Sequence, residues 1–146
     1  MSGLSSTGML AAAFAAMLAI ALATWALSVA KRDASIVDGI WSLLFLAAAF
    51  VYALGGTTDA TRASWLLALV LVWAVRLSAH IIGRGWGEPE DHRYQAIRAR
   101  NEPGFAWKSA YLVFGLQAVL AWIVSLSLFA GFTGPVPLGW LVIIGL

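Results

Sequence analysis

The chain has 146 residues, 62% of them hydrophobic and only 11% charged, with a mean hydropathy of +0.87. This composition excludes a disordered chain or an ordinary soluble domain and predicts a helical membrane protein in contact with the lipid bilayer. The formal net charge of +2 comes without a long basic run, so nucleic acid is not expected as a partner. Because the chain has no cysteine and only two histidines, we predict no metal site and expect any cofactor to be organic.

Four apolar stretches are each long enough to cross a bilayer, which takes roughly 20 residues of helix. They cover residues 8–30, 36–55, 63–83 and 109–132. A fifth apolar segment, 136–146, stops at about half the thickness of a bilayer. We therefore predict an all-α, polytopic transmembrane helical bundle, with four full spans plus an incomplete fifth, as a single membrane domain over residues 1–146.

The short fifth segment has two interpretations. It either folds back as a re-entrant piece, or it shows that the chain is truncated relative to a longer protein. We favour truncation, because lipid would leave the last carbonyl groups of a half-crossing without hydrogen-bond partners.

The first apolar stretch has the alanine content of a secretory signal, yet its flanks predict a retained membrane anchor. No basic residue precedes it, whereas Lys31 and Arg32 follow it directly. Basic residues are also concentrated in the loop 84–108, and Arg62 lies on the opposite side. The positive-inside rule then predicts a multi-pass protein whose amino terminus lies outside and whose loops 31–35 and 84–108 are cytoplasmic.

Small residues recur in the first stretch at the spacing that lets two helices approach closely. Ala15, Ala19 and Ala23 carry this pattern. It serves either a homo-oligomer or packing within the bundle, and we favour the bundle. The other candidate partner is a separate chain that supplies the part of a longer protein that this sequence lacks.

Polar side chains inside the apolar stretches are costly in lipid and are therefore candidates for function. From the rise of a helix we expect Asp38, Arg76, His80 and Gln117 to lie in the cytoplasmic half of the membrane. They predict a polar cavity, open to the cytoplasm, for a hydrophobic small-molecule substrate with a charged head. Each has a structural interpretation as well, since an arginine can snorkel to the headgroups and an aspartate can lie in the interface. The cavity-lining candidates are Trp41, Trp73, His80 and Gln117.

Three basic residues, Arg76, His80 and Arg84, follow one another at four-residue spacing and share one stripe of the third helix. Such groups repel one another unless anions compensate them. Asp38 is the only carboxylate expected at that depth. The stripe therefore predicts a phosphate-bearing ligand.

The loop 84–108 contains a charged stretch between two prolines, which predicts a short helix at about 90–100. Arg93 and Arg98 would lie near one face of it, together with Tyr94. Arginine forks beside a tyrosine suit a phosphate group and a stacked ring. The alternative is a solvated helix with internal pairs, Glu90 to Tyr94 and Asp91 to Arg98 among them.

The motifs are Ser-Ile-Val-Asp at 35–38 with Trp41, Trp73 with Arg76-Leu77, Arg84, Glu90-Asp91-x-Arg93-Tyr94 with Arg98, and Phe114 with Gln117. Together they resemble the amino-terminal half of bacterial membrane proteins related to the steroid 5-alpha-reductases. That superfamily is also similar to the isoprenylcysteine carboxyl methyltransferases. The resemblance covers nearly all of this chain but only about the first half of the family's domain. The other half of that domain carries an Arg-His-Pro-type motif. Ser42 also departs from the family, in which glycine usually follows the tryptophan.

The resemblance implies a multi-pass reductase of the bacterial cytoplasmic membrane that uses NADPH to reduce the activated C=C bond of a lipid or steroid-like enone. Such a reaction needs a buried proton donor at the carbonyl oxygen, and by its position Asp38 is the candidate. The candidates for binding NADPH are Arg76, Arg84, Arg93, Tyr94 and Arg98, although most of that site would lie in the missing half. One alternative is a methyltransferase that uses S-adenosylmethionine. Another is a non-catalytic membrane bundle that acts as an assembly partner.

Overall fold

The computed structural model describes residues 5–134, and all secondary structure in that part of the chain is helical. The predicted all-α bundle is confirmed, and four helices are long and apolar enough to cross a membrane. The helices are α1 (Ser6–Lys31), α2 (Ile36–Gly55), α3 (Ala60–Gly85), α4 (His92–Asn101), α5 (Phe105–Ser109) and α6 (Leu116–Thr133). A π-helical segment, Ala110–Gly115, joins α5 to α6, so the last span runs without a break over Phe105–Thr133. The predicted fifth segment, 136–146, lies outside the described residues.

The spans run up and down, so that the turn between α1 and α2, the end of α3, helix α4 and the start of α5 share one side of the membrane. We call this the α4 side. Helix α2 is the central element, because it packs against α1, α3 and α6, whereas α3 packs almost entirely on α2. The outward faces of the spans are rich in exposed apolar side chains, which is the surface that a bilayer covers.

The core has two layers. The layer away from α4 contains methionines and aromatics of α1, α2 and α6, and its buried Tyr52 hydroxyl shares a hydrogen bond of 3.1 Å with the hydroxyl of Ser125. The layer on the α4 side includes Val37, Tyr94, Phe105 and Phe114. Helix α4 is therefore attached to the bundle through a buried tyrosine, although most of its residues are polar.

Small residues let α2 and α3 approach closely. The Ser42 hydroxyl donates to the carbonyl of Ala74 at 2.9 Å, and the Ser78 hydroxyl donates to the carbonyl of Gly39. A Cβ atom on Gly39 would lie 2.7 Å from Cγ1 of Ile82. Ser42, which replaces the expected glycine, thus adds a hydrogen bond at a contact where a larger side chain would hold the helices apart.

Candidate functional site

Helix α4 begins at a well-formed cap. The Asp91 carboxylate accepts a hydrogen bond from the backbone N–H of Arg93 at 2.9 Å, which satisfies a free donor of the first turn. The Arg93 side chain returns to the same carboxylate, with Nε at 3.0 Å from Oδ1 and Nη2 at 3.2 Å from Oδ2. These bonds lower the pKa of Asp91 from its usual value to about 2.

Glu90 joins α4 to the turn between α1 and α2. One carboxylate oxygen accepts from the backbone N–H of Ala34 at 2.7 Å. Both oxygens accept from Arg98, at 2.8 and 3.0 Å, in the paired geometry that makes arginine–carboxylate contacts strong. The Glu90 side chain is only 10% exposed. Burial alone would raise the pKa of Glu90, but the hydrogen bonds from Arg98 and Ala34 lower it below the usual value.

Arg98 also holds the turn directly. Its Nη2 donates to the carbonyl of Arg32 at 3.3 Å, and its guanidinium lies 4.5 Å above the ring of Phe105. The bond to Glu90 raises the pKa of Arg98, so the side chain stays charged. Arg98 therefore links three elements, α4, the α1–α2 turn and α5.

Asp38 lies in the first turn of α2 and faces α4. Its Oδ1 accepts from the Tyr94 hydroxyl at 2.7 Å, and its Oδ2 accepts from Nη2 of Arg93 at 2.9 Å. Burial, and then the hydrogen bond to Asp38, raise the pKa of Tyr94 well above its usual value. In this arrangement Asp38 is the acceptor and the phenol of Tyr94 holds the proton.

The internal ion pairs differ from the alternative considered for the loop helix. Glu90 pairs with Arg98 rather than Tyr94, and Asp91 pairs with Arg93 rather than Arg98. The reason is that α4 begins only at His92, so Glu90 and Asp91 lie on the extended segment before it and are not on the helix surface. The helix is also not solvated on all sides, since Tyr94 is 7% exposed.

The basic stripe of α3 lies elsewhere. The side chains of Arg76, His80 and Arg84 are all exposed and make no hydrogen bond or ion pair with another described residue. Arg76 lies about 13 Å from the Gly85 end of α3, well within the span. The structure therefore does not bring Arg76 and His80 together with Asp38 through any contact.

Trp41 of α2 and Trp73 of α3 both pack on Phe45. The ring of Phe45 lies between those of Trp41 and Trp73, with centroid distances of 4.9 and 5.7 Å. The indole N–H of Trp41 is buried without a hydrogen-bond partner among the described residues. Gln117 is half-buried in the first turn of α6, directly after the π-helical segment, and has no hydrogen bond within residues 5–134.

Among the described residues, two cavities lie on the α4 side. One has a volume of about 630 Å³ and lies between the end of α1, α4 and α5; the other has about 400 Å³ and lies between the ends of α1 and α3 over the start of α2. Neither is lined by Asp38, Arg76, His80 or Gln117. Within the described range, no group of three His, Asp or Glu side chains is placed to hold a metal ion.

The family model described as a protein of unknown function, DUF1295, matches residues 24–146. The chain belongs to the DUF1295 family. Comparisons with curated proteins and with solved structures found no match. The match begins within α1 and includes both Asp38 and the Glu-Asp-x-Arg-Tyr motif, so the contacts of Asp38 and α4 lie within the region that defines this DUF1295 protein.

Two features of the site have weak signals in the sequence. The amide of Ala34 donates to Glu90, and the carbonyl of Arg32 accepts from Arg98. These are backbone groups, which every residue has, so the sequence does not indicate that they take part. In the sequence, Glu90 belongs to a motif and to a predicted pair with Tyr94, and neither predicts its contact with the α1–α2 turn. Its role could have been suspected from its place just before the cap residue Asp91, where a carboxylate cannot pair along the helix.

Proposed function

We propose that this DUF1295 protein is part of an NADPH-dependent membrane reductase that acts on the activated C=C bond of a lipid or steroid-like enone. The observation that carries the proposal is the pair of Tyr94 and Asp38, joined at 2.7 Å where α2 enters the membrane. The motif resemblance to steroid 5-alpha-reductases supports it. The same proposal places the α4 side in the cytoplasm, where NADPH is available, and the amino terminus outside.

The proposed roles follow from the direction of the hydrogen bonds. During reduction of an enone, negative charge develops on the carbonyl oxygen, and a positioned proton donor stabilises it. The Tyr94 phenol, whose pKa is raised, remains protonated and can turn its O–H from Asp38 to that oxygen. Asp38, fixed on its other oxygen by Arg93, orients the phenol. Tyr94 rather than Asp38 is then the proton donor.

The cationic candidates from the sequence fall into two groups, those already bound to carboxylates and those that are not. Arg93 and Arg98 are bound to carboxylates, so they are poor candidates for its phosphate groups. Arg76, His80 and Arg84 have no such partners among residues 5–134, and an arginine at that depth favours an anionic group. These residues fit the phosphate groups of NADPH. When bound, NADPH would supply the hydride.

The first test measures cofactor binding through the unfolding of the purified protein in detergent. We expect NADPH to raise the unfolding temperature, since a ligand at 100 times its Kd stabilises by about 2.7 kcal/mol. Arg76→Gln and Arg84→Gln should weaken this effect, and Arg100→Gln, at an exposed position on α4, should not. Stabilisation by S-adenosylmethionine instead would favour the methyltransferase. No effect of either compound would favour a non-catalytic bundle.

The second test measures turnover, as the oxidation of NADPH in the presence of cholest-4-en-3-one. Tyr94→Phe should lower the rate by about 100-fold or more while leaving NADPH binding intact. Tyr111→Phe is the matched control, because Tyr111 is 62% exposed and its hydroxyl forms no hydrogen bond within the described residues. Equal rates for the two variants would remove Tyr94 from the mechanism.

A further inference from the structure

The larger cavity, of about 630 Å³, carries an inference that is independent of the proposed reductase. Its volume lies within the range of small-ligand sites, about 300 to 1,000 Å³. It lies where α1 ends and the last span begins, which is the level of lipid headgroups. Its lining includes Ser28, Arg32, Arg98, Glu102, Phe105 and Ser109.

One part of the lining is cationic. Arg32 ends α1 in the left-handed conformation, with φ 55°, and its guanidinium has no hydrogen bond or ion pair with another described residue. Arg98 contributes a second guanidinium, held in place by Glu90 and the ring of Phe105. Glu90 already neutralises Arg98, so Arg32 is the cation of this lining that has no anion beside it among the described residues. A phosphate group provides one and matches the arginine fork.

The other part of the lining offers acceptors. The Glu102 carboxylate receives one hydrogen bond, from the N–H of Gly104 at 3.1 Å, and forms no ion pair with a described residue. The hydroxyls of Ser28 and Ser109 donate to carbonyls of their own helices, so their oxygen atoms remain free to accept. A primary ammonium group, with three N–H donors, matches such a set.

We propose that this cavity binds the phosphoethanolamine headgroup of a phospholipid. The phosphate lies against Arg32, and the ammonium group lies against Glu102. The lipid is favoured over free phosphoethanolamine because two membrane spans flank the cavity, and the exposed Val29 and Trp107 beside it offer a path for acyl chains. Choline, which has no N–H donor, and glycerol, which has no positive charge, match the Glu102 side less well.

The experiment offers equal amounts of phosphatidylethanolamine, phosphatidylcholine and phosphatidylglycerol to the delipidated full chain and counts bound lipids by native mass spectrometry. We expect phosphatidylethanolamine to be retained about tenfold better, as one charged hydrogen bond allows. Arg32→Gln should weaken retention of both phosphatidylethanolamine and phosphatidylglycerol. Arg100→Gln, on the same helix as Arg98 but outside the cavity lining, should change neither.

Glu102→Gln gives a result that misfolding cannot imitate. Without the carboxylate, the preference for phosphatidylethanolamine over phosphatidylglycerol should disappear within one folded variant, while binding through Arg32 persists. Equal retention of the three lipids by the unmodified protein would overturn the proposal, and so would a preference that survives Glu102→Gln. Displacement of the lipid by an equal concentration of free phosphoethanolamine would overturn the lipid as the source.

Discussion

Two groups of arginines at the same end of the bundle are used in opposite ways. Arg93 and Arg98 are bound to Asp38, Asp91 and Glu90, whereas the α3 stripe of Arg76, His80 and Arg84 has no such partner among the described residues. The paired group lies in the loop, where water would have screened its charge, and the unpartnered group lies partly within the span. The charges of the first group therefore stabilise the fold, and the charges of the second group are available to bind a ligand.

The largest effect is expected at Glu90, which ties α4 to the α1–α2 turn. Glu90→Gln keeps an acceptor for the amide of Ala34 but leaves the half-buried Arg98 without its counterion. We expect a loss of about 2 kcal/mol in the free energy of unfolding, below the cost of breaking a fully buried pair. Denaturant unfolding in detergent, followed by tryptophan fluorescence, measures it. Glu88→Gln is the control, because the exposed Glu88 side chain has no partner within residues 5–134. An equal loss of stability in both variants would show that the Glu90 contacts contribute nothing.

The next effect concerns how α3 is attached. Gly39→Ala places a methyl group 2.7 Å from Cγ1 of Ile82, so α2 and α3 must separate or Ile82 must shift. We expect a loss of about 1 to 2 kcal/mol by the same unfolding measurement. Gly83→Ala, with open space around its Cβ, should instead be neutral or slightly stabilising. If both variants behaved alike, the close contact between α2 and α3 would not be what positions the basic stripe.

A smaller effect is expected for the stability role of Tyr94. Tyr94→Phe removes the hydrogen bond to Asp38, but Arg93 still occupies the other oxygen of that carboxylate. The expected loss is about 1 kcal/mol in the free energy of unfolding. Tyr111→Phe should change it by much less. A loss at Tyr94 of several kcal/mol would mean that the residue is chiefly structural. The rate of Tyr94→Phe would then be interpreted only beside its NADPH binding.

Acid should destabilise the contacts of the paired arginines and leave the α3 stripe unchanged. The pKa of Asp91 is lowered to about 2, and the pKa of Glu90 is lowered from its ordinary value near 4.5. A lowered pKa stabilises the folded state fully above the ordinary value, and this contribution is lost as the pH falls toward the folded value. The protection factors of the α4 amides, taken relative to the unfolded-chain exchange rate at each pH, should therefore fall below about pH 4.5. The stripe segment of α3, which has no described carboxylate partner, should show no matching change, and a parallel loss of protection in both segments would indicate global unfolding.

The spans could be predicted because polarity changes abruptly at their ends. The second apolar stretch coincides with α2 at residues 36–55, between a charged turn and a pair of glycines. The last span begins at Phe105 rather than 109, since the Trp107 and Lys108 side chains are compatible with an interfacial first turn. The π-helical segment, Ala110–Gly115, has no signal in the apolar pattern of this stretch.

The partners of the charged residues could not be predicted in the same way. The sequence places Asp38 and Tyr94 on the same side of the membrane, but their contact depends on α4 folding back under α2. The paired Glu90 and Arg98 are eight residues apart, a spacing that a continuous helix would not favour. The depth of a residue in the membrane follows from the rise of its helix, whereas its contacts with other helices depend on how the helices pack.

The smallest effect should be at Arg76, and it is the sharpest test of the comparison. Arg76→Gln removes a charge with no partner among the described residues, so the free energy of unfolding without ligand should change by less than about 0.5 kcal/mol. Arg93→Gln, which removes a guanidinium bound to Asp38 and Asp91, should cost more under the same conditions. Both variants are measured in phosphate-free buffer and again with NADPH. The stabilisation that NADPH adds should be smaller for Arg76→Gln than for Arg93→Gln, because only Arg76→Gln loses a ligand contact. If Arg76→Gln destabilised the ligand-free protein as much as Arg93→Gln, both groups of arginines would hold the fold, and the α3 stripe would not be a binding surface.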